Sequence, residues 1–178
     1  MPEIHVTARY QRALEAVHEL LSRLRLDFLF LGNVARSAWL GGEAATGSID
    51  VLATMGPQQK SQVAMMAANR GFRVEREEID ASEELDIIPL HFVDGESEIR
   101  VHVLVASNAL YGRMVAAGVD GQLGERTLRI PTREDFALLL AMMDDEPALH
   151  ALASMAEFDR NAYNDKLISI GLGAHVLA

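Results

Sequence analysis

The chain contains no cysteine, which excludes disulfides and thiolate metal sites. That absence is compatible with a reducing compartment such as the cytoplasm. No apolar run approaches the ~18 residues of a membrane span. The opening residues, MPEIHVTARYQRALEAV, carry no apolar stretch of signal-peptide type. A soluble, cytoplasmic protein with no membrane partner is expected. Basic residues are in short supply: 16 Lys and Arg stand against 26 Asp and Glu, for a net charge of −10. Such a surface repels phosphate backbones, so nucleic acid is not an expected partner, while a local basic pocket for a small phosphate is still compatible with it. No repeat, low-complexity tract or linker interrupts the chain. His5, His18, His91, His150 and His175 show no metal-type spacing such as His-Glu-x-x-His and read as surface or packing residues.

What is present is a large apolar fraction, 49% of 178 residues, enough for a sizeable core. Leu14, Val17, Leu20, Leu21 and Leu24 recur at spacings of three and four, predicting an amphipathic helix over 7–25 with Thr7 as its cap. Asp27–Leu31 reads as a short strand buried on both faces, ended by Gly32. A short helix over Asn33–Leu40, a GGEAATG loop and a strand over Ser48–Thr54 follow. Pro57 opens a helix running to about Arg70, where Gly71 stops it. Phe72–Arg76 reads as a strand. Asp86–Val93 and Glu98–Ala106 read as a hairpin turned at Asp94-Gly95-Glu96-Ser97. A helix from Ser107 to Gly118, a second hairpin over 119–130 and helices over 133–144, 147–158 and 160–170 complete the reading. Thr132, followed by Glu134 and Asp135, has the chemistry of a helix start. The prediction is a single α+β domain over 1–178: an α/β core over 1–130 and a helical C-terminal portion over 131–178.

Residues 31–52, LGNVARSAWLGGEAATGSIDVL, carry the candidate chemistry. An apolar strand ends in Gly32, a short helix follows, and a second strand carries Ser48-Ile49-Asp50. This layout resembles the entry motif of the nucleotidyltransferase superfamily, in its minimal and toxin-like branches. There a strand runs into Gly-Gly or Gly-Ser, and Asp-hydrophobic-Asp lies on the next strand. Further segments resemble the family in order: Ala45-Thr46-Gly47-Ser48-Ile49-Asp50; Gly71-Phe72; Arg100-Val101-His102-Val103-Leu104, where a third carboxylate is usual; Pro131 to Phe136; and Phe158 to Leu172. The resemblance implies a nucleotidyltransferase-like mixed, twisted sheet with flanking helices. It also implies transfer of a nucleoside monophosphate from a triphosphate, with Mg²⁺ or Mn²⁺ as cofactor if the chain is active.

Placed on that template, Gly32, Asn33 and Arg36 are the candidates for phosphate, and Ser48, Asp50 and His102 for catalysis, with Asp50 as the metal ligand. The motif is degenerate. Ser48 stands where the first carboxylate belongs, His102 where the third belongs, and Leu140 where a lysine is frequent. Formal site charge falls from about −3 to about −1, too little to offset two hard dications that want oxygen ligands. Three readings of Asp50 stay open: an ion pair with Arg100 or His102, a single-metal site, or exposure to solvent. Trp39, the only tryptophan, reads as packing the short helix onto the sheet, with stacking on a base as the alternative.

The expected function is therefore that of a catalytically impaired nucleotidyltransferase-like protein acting by binding a nucleotide or a protein partner. The alternatives are an active metal-dependent transferase with an unknown acceptor and a non-catalytic interaction protein. Related small proteins include antibiotic-modifying transferases and components of toxin–antitoxin systems.

Overall fold

The computed structural model describes residues 1–44, 47–82, 86–95, 97–172 and 176–177. Ala45 and Thr46 of the candidate motif, Glu96 of the first hairpin turn, and His175 lie outside the described residues. After a two-residue strand β1 (His5–Val6), Thr7 starts α1 (Ala8–Arg23) by accepting a hydrogen bond from the Tyr10 N–H. The helix buries Tyr10, Leu14, Val17, Leu20 and Leu21, the stripe its apolar spacing predicts. β2 (Asp27–Phe30) follows and runs straight into α2 (Gly32–Leu40). Next come β3 (Glu43–Ala44), β4 (Ile49–Thr54), α3 (Pro57–Ala68) and β5 (Phe72–Arg73). The middle of the chain holds α4 (Arg76–Ser82), β6 (Ile87–Asp94), β7 (Ser97–Val105) and α5 (Ala109–Ala117). β8 (Val119–Leu123), β9 (Arg126–Ile130), α6 (Arg133–Met142), α7 (Glu146–Ala153) and α8 (Arg160–Ser169) finish the described fold.

Five strands form the main sheet in the order β2-β4-β7-β6-β5. β4 and β7 pair parallel, and the remaining neighbours are antiparallel, so the sheet is mixed. Side chains alternate between its two faces. One face presents Ile49, Val51 and Ala53 of β4 with Ile99, Val101 and Val103 of β7, and α1 and α3 cover it with Leu14, Val17, Leu21, Val63 and Ala67. The other face is divided. Leu29 and Leu52 meet Met114 and Val115 of α5, a small apolar cluster extended by Leu104. Beyond that cluster the same face turns polar. Asp50, His102 and Pro89 lie in one register row across β4, β7 and β6. Arg100, His91 and Arg73 form the next row across β7, β6 and β5.

The last three helices bury a second core, in which Phe136, Leu140, Leu149, Leu152, Tyr163 and Leu167 pack with Ala35 of α2. Each of these helices has a side-chain cap: Thr132 accepts from the Asp135 N–H, Asp145 from Ala148, and Asp159 from Ala162. Among the described residues, no helix is long and apolar enough to cross a membrane.

Two sequence expectations are corrected. The strand over Phe72–Arg76 stops at Arg73, and helix α4 follows it. Glu77 and Glu78 in the first turn favour a helix N-terminus, but the segment has too few apolar residues for a periodic signal. The GGEAATG segment is not wholly loop, because Glu43 and Ala44 pair in parallel with His5 and Val6.

Candidate functional site

The site forms where β2 passes into α2 beside β4. The Leu31 N–H donates to the Asp50 carbonyl at 2.8 Å, holding the turn against β4. Gly32 adopts φ +52°, in the left-handed region. A Cβ there would stand 2.5 Å from Asp50 Oδ2, so position 32 accepts only glycine while the carboxylate keeps its place. Another glycine of the segment, Gly47, has φ +93° and lies against the Asn33 amide, which a Cβ would approach to 2.7 Å.

Asp50 is half-buried, and one of its oxygens accepts two bonds. Ser48 Oγ donates to Oδ1 at 3.0 Å, and His102 Nδ1 lies 2.8 Å from the same atom. A carboxylate can only accept, so His102 carries a proton on Nδ1 and its Nε2 sits on the far side of the ring. This contact follows from the strand register, which sets Asp50 directly beside His102. Below it, the Tyr10 hydroxyl donates to the Ser48 carbonyl at 2.5 Å and is also hydrogen-bonded by Asn33. Burial, together with the Asp50 charge, pushes the Tyr10 hydroxyl far above the ordinary tyrosine range, so it stays a donor. Ser48, Asp50, His102, Gly32 and Asn33 thus come together around one strand end.

Arg36 does not join them. Its Nη1 lies 2.7 Å from Asp145 Oδ2, at the cap of α7. Arg36 and the Ala148 N–H hold the Asp145 carboxyl below its ordinary value. Trp39 donates its indole N–H to the Pro131 carbonyl at 3.1 Å, and the Arg133 guanidinium sits 4.8 Å over its ring. It packs against both the sheet core and the helical core.

One cluster on the polar face was missed by sequence reasoning. His91 is buried and lies between two carboxylates, with Nε2 2.5 Å from Glu78 of α4 and Nδ1 against Glu98 of β7. Arg73 reaches the other oxygen of Glu98 at 2.6 Å. Burial pulls the His91 value down, but hydrogen bonds to Glu78 and Glu98 outweigh it and raise the ring above the ordinary histidine value. The available signal was the Asp94-Gly95 turn, whose register sets His91 opposite Arg100. Glu78 gave none, because α4 itself was not legible.

A pair of Mg²⁺ ions does not fit these residues. Such ions want several oxygen ligands. Here the single carboxylate of the motif has Oδ1 engaged by two donors. Among the described residues, no three His, Cys, Asp or Glu side chains group so as to hold a metal ion.

No family profile matches the sequence, and no curated protein matches it. Solved structures do. An antigenic nucleotidyltransferase-like protein from Paracoccidioides brasiliensis superposes with a TM-score of 0.53 at 9% identity, covering 96% of this chain and 89% of its own. The fold is nucleotidyltransferase-like. ANT(2″)-Ia, solved in complex with adenylyl-2″-tobramycin, aligns with a TM-score of 0.48 at 16% identity, over 90% of this chain and 88% of its own. That second likeness is too distant to add to the assignment. Within the nucleotidyltransferase-like fold, Ser48, Asp50 and His102 occupy one strand-end cluster, and the polar half-face of the sheet opens beside it.

Proposed function

We propose that this chain is a nucleotidyltransferase-fold protein without metal-dependent transfer activity, and that it acts by binding a nucleotide. One observation supports the reading above the others: Asp50 Oδ1 is shared between Ser48 and His102. The remaining motif positions supply a hydroxyl and an imidazole, and neither offsets the charge of hard dications. Ligation of a metal through both oxygens of Asp50 would require giving up its Oδ1 contacts with Ser48 and His102. The nucleotide arm of the proposal rests on the fold and on the cleft that Arg100 and His102 line beside Asp50.

The test is calorimetric titration of the purified chain with ATP, GTP, CTP and UTP, each with and without Mg²⁺ or Mn²⁺, alongside an assay for pyrophosphate release. The expected result is binding of at least one nucleotide without a metal requirement and without pyrophosphate release. Metal-dependent binding with turnover that Asp50→Ala abolishes would overturn the reading in favour of an active transferase. Absence of binding in every combination would overturn it in favour of a protein partner.

A further inference from the structure

The polar half-face of the sheet presents Arg100 and His102 beside Asp50. Arg100 and His102 alternate with the buried Ile99, Val101 and Val103 on β7, so both point away from the main core. They line one cavity of about 350 Å³ together with Glu78, Pro89 and His91. Arg100 is exposed. Its charge acts on Glu78 at longer range, but it makes no direct ion pair among the described residues. Glu78, on which its charge acts, is already engaged by His91, and Glu98, two residues away on β7, by His91 and Arg73. Asp50 orients His102 through Nδ1, which leaves Nε2 for another partner.

The positions at which sequence reasoning placed phosphate are occupied. Asp50 Oδ2 overlies Gly32, Asn33 serves Tyr10, and Arg36 is tied to Asp145.

We infer that Arg100, with His102 beside it in the same cavity, binds the phosphate chain of the nucleotide directly, so that a guanidinium rather than a divalent ion neutralises it. This rests on the nucleotide-binding reading above and adds the place of the phosphates and what neutralises them. A guanidinium meets phosphate oxygens with two parallel N–H donors. Asp50 holds the His102 ring through Nδ1, which turns Nε2 toward the same cavity; a proton on Nε2 would make it a third donor. Mg²⁺ claims the same phosphate oxygens that the guanidinium takes. A divalent ion therefore competes with this site.

The decisive experiment titrates wild type, Arg100→Gln and His102→Gln with ATP and with inorganic tripolyphosphate, first in EDTA and then with excess Mg²⁺. Circular dichroism of each variant checks folding, and Arg126→Gln, on the distant hairpin where Arg126 pairs with Glu15, serves as the control. ATP and tripolyphosphate should both bind in EDTA, Mg²⁺ should weaken each, and Arg100→Gln should weaken each about tenfold or more. His102→Gln should weaken them less, since it removes one donor. ATP binding that Mg²⁺ strengthens, or that Arg100→Gln leaves unchanged, would overturn the placement of the phosphates and leave the nucleotide reading standing. If no nucleotide binds wild type under either condition, both fall together.

Discussion

Oδ2 of Asp50 lies where the side chain of any other residue at position 32 would have to go, 2.5 Å from an ideal Cβ. Strand β4 and the first turn of α2 are thereby locked to each other's chemistry. The carboxylate needs the glycine, and the glycine's left-handed backbone brings α2 in close behind it.

Gly32→Ala should destabilise the fold by about 2 kcal/mol or more. Left-handed backbone accounts for about 1–2 kcal/mol of this, and displacement of the Asp50 carboxylate adds to it. In an Asp50→Ala background only the backbone part should persist, so the two substitutions should be non-additive. Urea unfolding of the four proteins measures the coupling, and strict additivity would contradict the contact.

Stability should fall as pH rises past about 6.5, the ordinary histidine value. His91 is raised in the fold, so its contribution is complete below the unfolded-chain value and is lost as pH climbs through the folded one. The groups facing it are Glu78 of α4, Glu98 and Arg100 of β7, and Arg73 of β5. Other groups also titrate, so the measured quantity is the difference in thermal midpoint between wild type and His91→Gln across pH 6–9. That difference should be largest at the acid end and shrink with rising pH. A flat difference would show that His91 is not charged in the fold. At the acid end the variant should lose about 1–2 kcal/mol, toward the low side for charged hydrogen bonds because the Glu78 side chain is partly open to solvent.

Tyr10→Phe should cost about 1 kcal/mol. The substitution removes the donor to the Ser48 carbonyl while keeping the ring in its buried seat. Because Ser48 also donates to Asp50, a backbone shift at Ser48 should appear as a change in the His102 ring resonances by NMR. Unchanged resonances would separate Tyr10 from the site.

Lys166→Met should destabilise by about 2–3 kcal/mol, below the range for a fully buried pair, because Lys166 is 34% exposed while the Asp135 side chain is only 5% exposed. Without Lys166 the Asp135 charge keeps, among the described residues, only the Thr132 hydroxyl as a side-chain partner. Adding Asp135→Asn should recover part of the loss, since it removes the stranded charge. A double variant less stable than Lys166→Met would contradict that account.

Legibility in the sequence followed the range of the interactions. The α1 stripe and the alternation of Ile99, Val101 and Val103 with Arg100 and His102 are local periodicities, and they survive intact in the structure. The fold resemblance carried by residues 31–52 corresponds to a nucleotidyltransferase-like architecture. Which residue would face Asp50 was not legible. The choice between Arg100 and His102 depends on the register of two parallel strands distant in sequence, and that register selects His102. Arg36 offered no local sign of its partner, because Asp145 is 109 residues away. Helix α4 was hidden for a different reason: its anchor on the sheet is the polar contact from Glu78 to the buried His91, which hydrophobic periodicity cannot register.

Trp39 bridges the sheet core and the helical core and is the only tryptophan in the chain. Its indole is fastened to Pro131 and capped by Arg133, the two residues that flank the cap of α6. The protein therefore carries its own optical probe at the seam between its two halves. Emission excited at the tryptophan edge follows the docking of the C-terminal helices, and far-ultraviolet dichroism follows secondary structure. A denaturant titration in which the two signals part would reveal the helices letting go before the sheet melts.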